Sequence, residues 1–368
     1  MPNINWSKWP LPVVLAAAVA VGGAMSAIAS NQAQAGELAI LTWEGYADSA
    51  ITQKFEDDTG CVISRTYVGS NDEFPAKLAA GGSIYDAVSP SLDTTGILAK
   101  MGVVEPIAID MLTDWNDIYE GFRVHPSVAG AEGWMPPEGT VWAAPYSWGS
   151  IAWMYRADKF DTPPDSIEIF WDPAYAGKLS IWDDKTNIYA VARYIFGRDV
   201  NVYDLSDEQL AQVRDKLIEA KPQMRKYWAT AGELVNLYAN GEVIFSNTWG
   251  GYQSALLIEQ GIPMVEFVPK EKADGWQDAW QIVKGTPNME CAKKFVVYMQ
   301  SPHAQCQMSA VMGYSMANAT AAKECLTPEM YESLHQGDWT YIDGLDFWQE
   351  PVRVDAIIET WNAVKAAQ

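Results

Sequence analysis

LAILTWEGYADSAITQKFEDDTGCVISRTYVGSNDEFPAKLAAGGSIYDAVS, residues 38–89, decides the fold class. Leu38 to Trp43 is a short apolar run with the pattern of a buried strand. Ser49 to Asp58 follows, with Ile51 and Phe55 at i and i+4, the spacing of one helix face. Thr59-Gly60 ends it, because glycine is the usual residue after a helix C-cap. Cys61 to Val68 alternates like a strand. Ser70 and Glu73, three apart, form the signature of a capping box before a second helix. Tyr85 to Ser89 is a third strand. Strand, helix, strand, helix, strand in about 50 residues predicts a parallel sheet and an α/β fold.

The same grammar returns further along. Gly177 to Trp182 reads as a strand, Asn187 to Phe196 as a helix, Ser206 to Glu219 as a longer helix and Gly241 to Asn247 as a strand. After a Pro/Gly/Lys-rich stretch at Pro269–Gly275, Ala279 to Val283 is a strand, and the remainder is mostly helical. The 368 residues suit two such lobes. With no long linker between them, several short crossings join the lobes.

Residues 1–35 are expected to lie outside the fold. A single cation, Lys8, precedes the apolar stretch Val13 to Ala29, which ends at Ala33-Gln34-Ala35. This is the pattern of a secretory signal peptide cleaved after Ala35. A membrane anchor is disfavoured because the run is short for a span and is broken by Gly22 and Gly23. Export places Cys61, Cys291, Cys306 and Cys325 in an oxidising compartment, where disulfides persist. Three pairings are open. Cys306 and Cys325 flank a short loop between two helical stretches, which favours Cys306–Cys325 and leaves Cys61–Cys291. No C-x-x-C occurs and the three His (His125, His303, His335) are scattered, so no metal site is expected.

The balance of 25 Lys plus Arg against 47 Asp plus Glu, a net charge of −22, excludes the basic face that nucleic acid requires. Sequence signatures of catalysis are absent: there is no G-x-S-x-G, H-E-x-x-H or G-x-x-x-x-G-K-[ST]. A hydrolase using paired carboxylates is the remaining enzyme reading, and among 47 acids some pair lies at a suitable distance by chance. What accumulates instead is aromatic residues beside acids. Trp43-Glu44-Gly45-Tyr46, Ser91-Leu92-Asp93, Trp182-Asp183-Asp184 and Thr248-Trp249-Gly250 follow strands, and Trp276-Gln277-Asp278 lies at the return to the first lobe. Ligands of parallel α/β sheets bind beyond the carboxyl ends of the strands. Carboxylates neutralise a protonated amine, and aromatic faces hold both the cation and its methylenes.

These residues resemble the periplasmic spermidine/putrescine-binding proteins of ABC importers over about Leu38 to Lys365. The markers are W-x-x-Y (Trp43, Tyr46), S-N-[DE]-E (Ser70 to Glu73), Y-D-x-V-x-P-S (Tyr85 to Ser91), P-Y-x-W-G (Pro145 to Gly149), W-D-P-x-Y-x-G-K-L (Trp171 to Leu179), A-N-G-E-V (Ala239 to Val243), W-x-D (Trp276 to Asp278) and M-G-Y (Met312 to Tyr314). Their order and spacing together make the likeness specific. It implies the type II-like, two-lobe periplasmic-binding-protein fold with a ligand cleft between the lobes. Lobe 1 is expected at 36–144 and 277–322, and lobe 2 at 145–276 and 323–368. It also implies a monomer in the periplasm, no cofactor, and as partner an inner-membrane permease with a separate ATPase.

By the resemblance, an aromatic cage falls on Trp43, Tyr46, Trp249, Trp276 and Tyr314, amine-binding acids on Asp184 and Asp278, and polar positions on Ser91 and Gln349. Three departures bear on charge. Asn187 stands where the family has Glu, Asp93 where it has Tyr, and Glu44 where it has Thr. Putrescine or spermidine is the expected cargo. The alternatives are a smaller amine: an ω-amino acid, an aminophosphonate or a choline-like quaternary ammonium. An ω-amino acid needs a cation for its carboxylate, for which Arg193 or Arg225 is the candidate.

Overall fold

The computed structural model describes residues 36–81 and 84–367, so the expected signal peptide lies outside the described residues. The opening stretch folds as read. The strand Glu37–Trp43 pairs in parallel with Val62–Val68 on one side and Ala87–Val88 on the other. The helix Ser49–Thr59 between the first two buries Ile51, Thr52 and Phe55; Asp48 caps its start and Gly60, at φ 72°, ends it.

The capping box expected at Ser70 does not form. Glu73 reaches one residue further back, to the Gly69 N–H at 2.8 Å. The turn is held from outside instead: Asn71 Oδ1 accepts from Ser91 N–H, and Asp72 pairs with Lys185. Tertiary contacts thus override the local motif. A complete capping box does form at Ser206 and Gln209, before the helix Asp207–Glu219.

Two main sheets organise the chain. The larger runs Ser315–Met316, Ala144–Ser150, Ala273–Val283, Ala87–Val88, Glu37–Trp43, Val62–Val68, with Val104–Glu105 and Leu345–Phe347 also on Ala273–Val283. The smaller runs Met224–Trp228, Leu179–Trp182, Phe245–Asn247, Trp153–Arg156, Met264–Phe267. Both are mixed. Ala273–Val283 is antiparallel to its neighbours Ala87–Val88 and Ala144–Ser150, and Trp153–Arg156 is antiparallel to both of its partners.

Sheet membership shifts the crossings from those expected. Ala144–Ser150 belongs to the larger sheet, and Ala273–Val283 starts six residues before the strand read at Ala279. The chain therefore passes between sheets at 151–152 and again at 268–272. The C-terminal helix Val354–Ala366 packs on Asp207–Glu219, on the smaller-sheet side.

The four cysteines pair as Cys61–Cys291 and Cys306–Cys325. The first closes a loop with a sequence separation of 230. Closing so long a loop mainly restricts the unfolded chain, so the Cys61→Ala/Cys291→Ala protein is expected to lose about 2–5 kcal/mol of stability in denaturant melts. The second pair, 19 apart, closes a far shorter loop and is expected to cost less when removed.

Candidate functional site

Strand ends from both sheets converge on a cavity enclosing about 310 Å³ of space, open solvent included, lined by Trp43, Glu44, Tyr46, Ser91, Ile151, Trp182, Trp249, Trp276, Asp278, Tyr314 and Trp348. Trp43 is the last residue of its strand, and the turn after it presents Glu44 and Tyr46. Trp182 ends the strand Leu179–Trp182, and Trp249 follows Phe245–Asn247, its N–H fixed by Gln253 Oε1 at 2.8 Å. Ile151 stands at the first crossing between sheets. Trp348 follows Leu345–Phe347, its N–H donating to the Gly275 carbonyl.

Trp182 is the hub of the aromatic wall. It packs on Trp43, Trp228, Trp249 and Trp348 with ring centroids 5.6–6.1 Å apart. Its Nε1 donates to the Gly69 carbonyl, tying a strand end of the smaller sheet to the larger-sheet side. Trp276 is placed by backbone. Its Nε1 donates to the Trp249 carbonyl, and its ring lies on Gly149, where a Cβ would come within 2.6 Å of Cζ2. Because Gly149 sits under a fixed strand neighbour, Gly149→Ala is expected to displace the Trp276 ring. Intrinsic fluorescence should change and ligand affinity fall while the melting temperature stays within a few degrees.

Asp278 supplies the charge at the cavity wall. Tyr46 donates its hydroxyl to Oδ2 at 2.5 Å, and Tyr46 is also 2.8 Å from Ser147 Oγ. The second oxygen, Oδ1, is buried with no hydrogen-bond partner. Burial raises the Asp278 pKa to about 7; the Ser91 and Tyr46 hydroxyls oppose the rise and the nearby Asp93 charge adds to it. Asp93 is raised to about 6, again mainly by burial, with Lys185 opposing. Both groups have a folded pKa above the unfolded carboxylate value. Their stabilising contribution is therefore complete below about pH 4 and is lost as pH rises through 6 to 7. The ligand-free protein is expected to gain stability from pH 8 to pH 6.5, by at most about 1.4 kcal/mol per pH unit for each group, in denaturant melts; below that, His125 and His335, whose pKa values burial lowers, oppose the gain.

The sequence-derived residues divide cleanly. Trp43, Glu44, Tyr46, Ser91, Trp249, Trp276, Asp278 and Tyr314 line the cavity. Glu44 is half-buried, and Oε2 lies 3.5 Å from Gly232 N–H across the cleft. Asp93, Asp184, Asn187 and Gln349 do not line it. Asp93 is buried beside Lys185, and Asp184 Oδ1 accepts from Thr186 N–H. Asn187 braces the loop before its own helix, donating to the Trp182 and Asp184 carbonyls and accepting from Asn247. Gln349 is exposed, and its neighbour Trp348 faces the cavity instead.

Sequence reasoning missed Trp182, Trp348 and Ile151. The W-D-D pattern at a strand end carried the signal for Trp182; nothing in the local pattern marked the other two. Neither arginine proposed for a ligand carboxylate lines the cavity. Arg193 is buried between Asp274 and Asp346, and Arg225 is exposed and paired with Glu242 at 2.6 Å. Three further Trp residues lie away from the cavity lining. Trp228 is fully buried behind Trp182, Trp171 stacks on Tyr194 and Trp142 donates to the Trp134 carbonyl.

Comparison with known proteins agrees with this architecture. A family model of bacterial extracellular solute-binding proteins matches residues 50–334. The chain is 26% identical over 346 residues to the spermidine/putrescine-binding periplasmic protein of Escherichia coli (strain K12), covering 90% of this chain and 93% of that one. It is 24% identical over 292 residues to a gamma-aminobutyric acid-binding protein of Pseudomonas aeruginosa, covering 75% and 76%. Among solved structures, a putative spermidine/putrescine ABC transporter from Listeria monocytogenes superposes with a TM-score of 0.77 at 19% identity, over 90% of this chain and 100% of that one. These likenesses establish the two-lobe binding-protein fold.

Proposed function

We propose, for a chain that belongs to the bacterial extracellular solute-binding proteins, that its cargo is a small cationic amine, with putrescine and spermidine first. The observation that carries this reading is the Asp278 carboxylate. Its Oδ1 is buried without a partner, it faces an aromatic cavity, and no Lys, Arg or His is among the lining residues. A buried carboxylate with a raised pKa gains most from a ligand that brings its own positive charge. The indole faces hold the cation and the methylenes beside it. Glu44, the other acid on the lining, gives a second ammonium a partner.

In this reading the two lobes close on the amine, because the ligand touches both sheets only when the cleft is shut. The closed form delivers it to an inner-membrane permease driven by a separate ATPase, and the protein works as a periplasmic monomer without chemistry of its own. Among the described residues, no helix is long and apolar enough to cross a membrane.

A second reading is favoured by three indole N–H groups. Trp43, Trp249 and Trp348 line the cavity with buried Nε1 atoms that have no acceptor. A ligand carrying an acceptor oxygen beside its amine, an ω-amino acid or aminophosphonate, satisfies them. Titration calorimetry with putrescine, spermidine, choline and γ-aminobutyrate separates the two. Tight putrescine or spermidine binding is expected. Tight γ-aminobutyrate binding without either polyamine moves the assignment to the second reading, and no binding of any amine refutes both.

A further inference from the structure

Lys185 is a buried lysine that crosses between the two sheets. It sits in the loop after the smaller-sheet strand Leu179–Trp182, and its side chain is 2% exposed. Its ammonium lies 2.7 Å from Asp72 Oδ1 and 3.2 Å from Asp93 Oδ2. Asp72 belongs to the turn before the helix Glu73–Gly81, and Asp93 to the helix Leu92–Met101, both on the larger-sheet side. Asp184 is the adjacent residue and is likewise buried. Two carboxylates thus hold the ammonium directly, and the buried Asp184 charge lies near enough to act on it. Buried Asp93 Oδ1 and Asp184 Oδ2 have no hydrogen-bond donor, so the cluster has more acceptor capacity than Lys185 fills.

This cluster adjoins the cavity. The lining Ser91 donates its N–H to Asn71, the neighbour of Asp72, and the Asp93 charge is close enough to the lining Asp278 to act on it. A flexible four-carbon stem ending in a primary ammonium is chemically half of an alkyl diamine. We propose that Lys185 is a tethered ammonium that fills an acidic position at one end of the ligand cavity, leaving Asp278 and Glu44 for the ligand and so selecting a diamine over a triamine. The inference rests on the amine reading above. Its physical basis is that a third ligand ammonium meets the like charge of Lys185 where it needs a free carboxylate, and like charges placed together out of water discriminate strongly. A purely structural ion pair between the lobes makes a different prediction, since its loss lowers stability without altering which amine is preferred.

The test is titration calorimetry of putrescine and spermidine with the wild-type protein and Lys185→Ala. The wild type is expected to bind putrescine at least as tightly as spermidine. Lys185→Ala removes the stem and exposes the acids, and is expected to move the spermidine-to-putrescine affinity ratio toward spermidine by about tenfold or more. An unchanged ratio, with both amines still bound, overturns the role of Lys185 and leaves the amine reading intact. If neither protein binds either amine, the amine reading fails and this inference with it. Should Lys185→Ala not fold in buffer, it is refolded with saturating putrescine or saturating spermidine, and the denaturation midpoints are compared with those of the wild type under the same ligands. A gain with spermidine over putrescine that is larger in the variant than in the wild type supports the tethered-ammonium role. The same gain with either amine, or refolding with neither, overturns it.

Discussion

Asp278→Asn is expected to fold normally and to lose about 2–5 kcal/mol of amine affinity, the range for removing one partner of a desolvated charge pair. That is about thirtyfold or more in dissociation constant. The substitution keeps the shape, and the side-chain oxygen of asparagine can still accept the Tyr46 hydroxyl that Asp278 Oδ2 accepts. What it removes is the negative charge on a carboxylate whose second oxygen has no partner. Stability should move the other way. Burial raises the Asp278 pKa to about 7, so at pH 8 the ligand-free protein carries an unfavourable buried charge that asparagine lacks. Calorimetry and denaturant melts at pH 8 on the same preparation check both halves. A folded variant with wild-type affinity rules Asp278 out as the ammonium partner.

Much of the fold was legible because its first 50 residues follow local rules. Ile51 and Phe55 mark a helix face, Gly60 a helix end, and the apolar runs around them a parallel sheet. The strand Ala273–Val283 shows where such rules stop. All of its eleven residues are buried, yet the first half contains Asp274, Gln277 and Asp278. Hydrophobic pattern cannot mark a strand whose buried side chains are polar, so only the apolar Ala279–Val283 half could be read. Of those polar residues, Asp278 lines the cavity and Asp274 pairs with Arg193 at the crossing, so polar contacts take the positions a hydrophobic pattern would need.

The candidate site divides along a similar line. Side chains on or directly after strand ends, such as Trp43, Tyr46 and Trp249, were marked by position, because a strand end fixes where the next few residues point, and by the family resemblance as well. Asp93 and Asp184 passed the same positional test and Asn187 was marked by the resemblance, yet none of the three lines the cavity. Their surroundings explain it. Lys185, one residue from Asp184, draws Asp93 to itself, and Asn187 spends both ends of its amide on the loop and on Asn247. Whether an acid faces a ligand or an internal cation depends on a partner that adjacency in sequence does not reveal. Gln349 failed for a geometric reason: in Trp348-Gln349 the tryptophan turns inward and leaves its neighbour exposed.

Arg193→Met is expected to destabilise the protein by about 3–5 kcal/mol, the cost of leaving the buried Asp274 carboxylate without its cation. The guanidinium is fully enclosed, with Nη2 2.6 Å from Asp274 Oδ1 and Nε 2.8 Å from Asp346 Oδ2. Its helix, Asn187–Phe196, belongs to the smaller-sheet side, whereas Asp274 and Asp346 stand on paired strands of the larger sheet. Arg193 therefore ties the sheets together where the chain crosses between them. Lys272 at the same crossing adopts φ 81°, unusual for a residue with a side chain, and also reaches Asp346. Methionine fills the volume but leaves Asp274 charged and buried. Neutralising both partners, in Arg193→Met/Asp274→Asn, should recover much of the loss, since a buried ion pair adds little over a neutral packing of similar size. Amine affinity of the folded single variant should change little, because Arg193 does not line the cavity. If Arg193 instead served a ligand carboxylate, the single variant would keep its stability and lose γ-aminobutyrate binding, so one melt and one titration on that protein decide between the two roles.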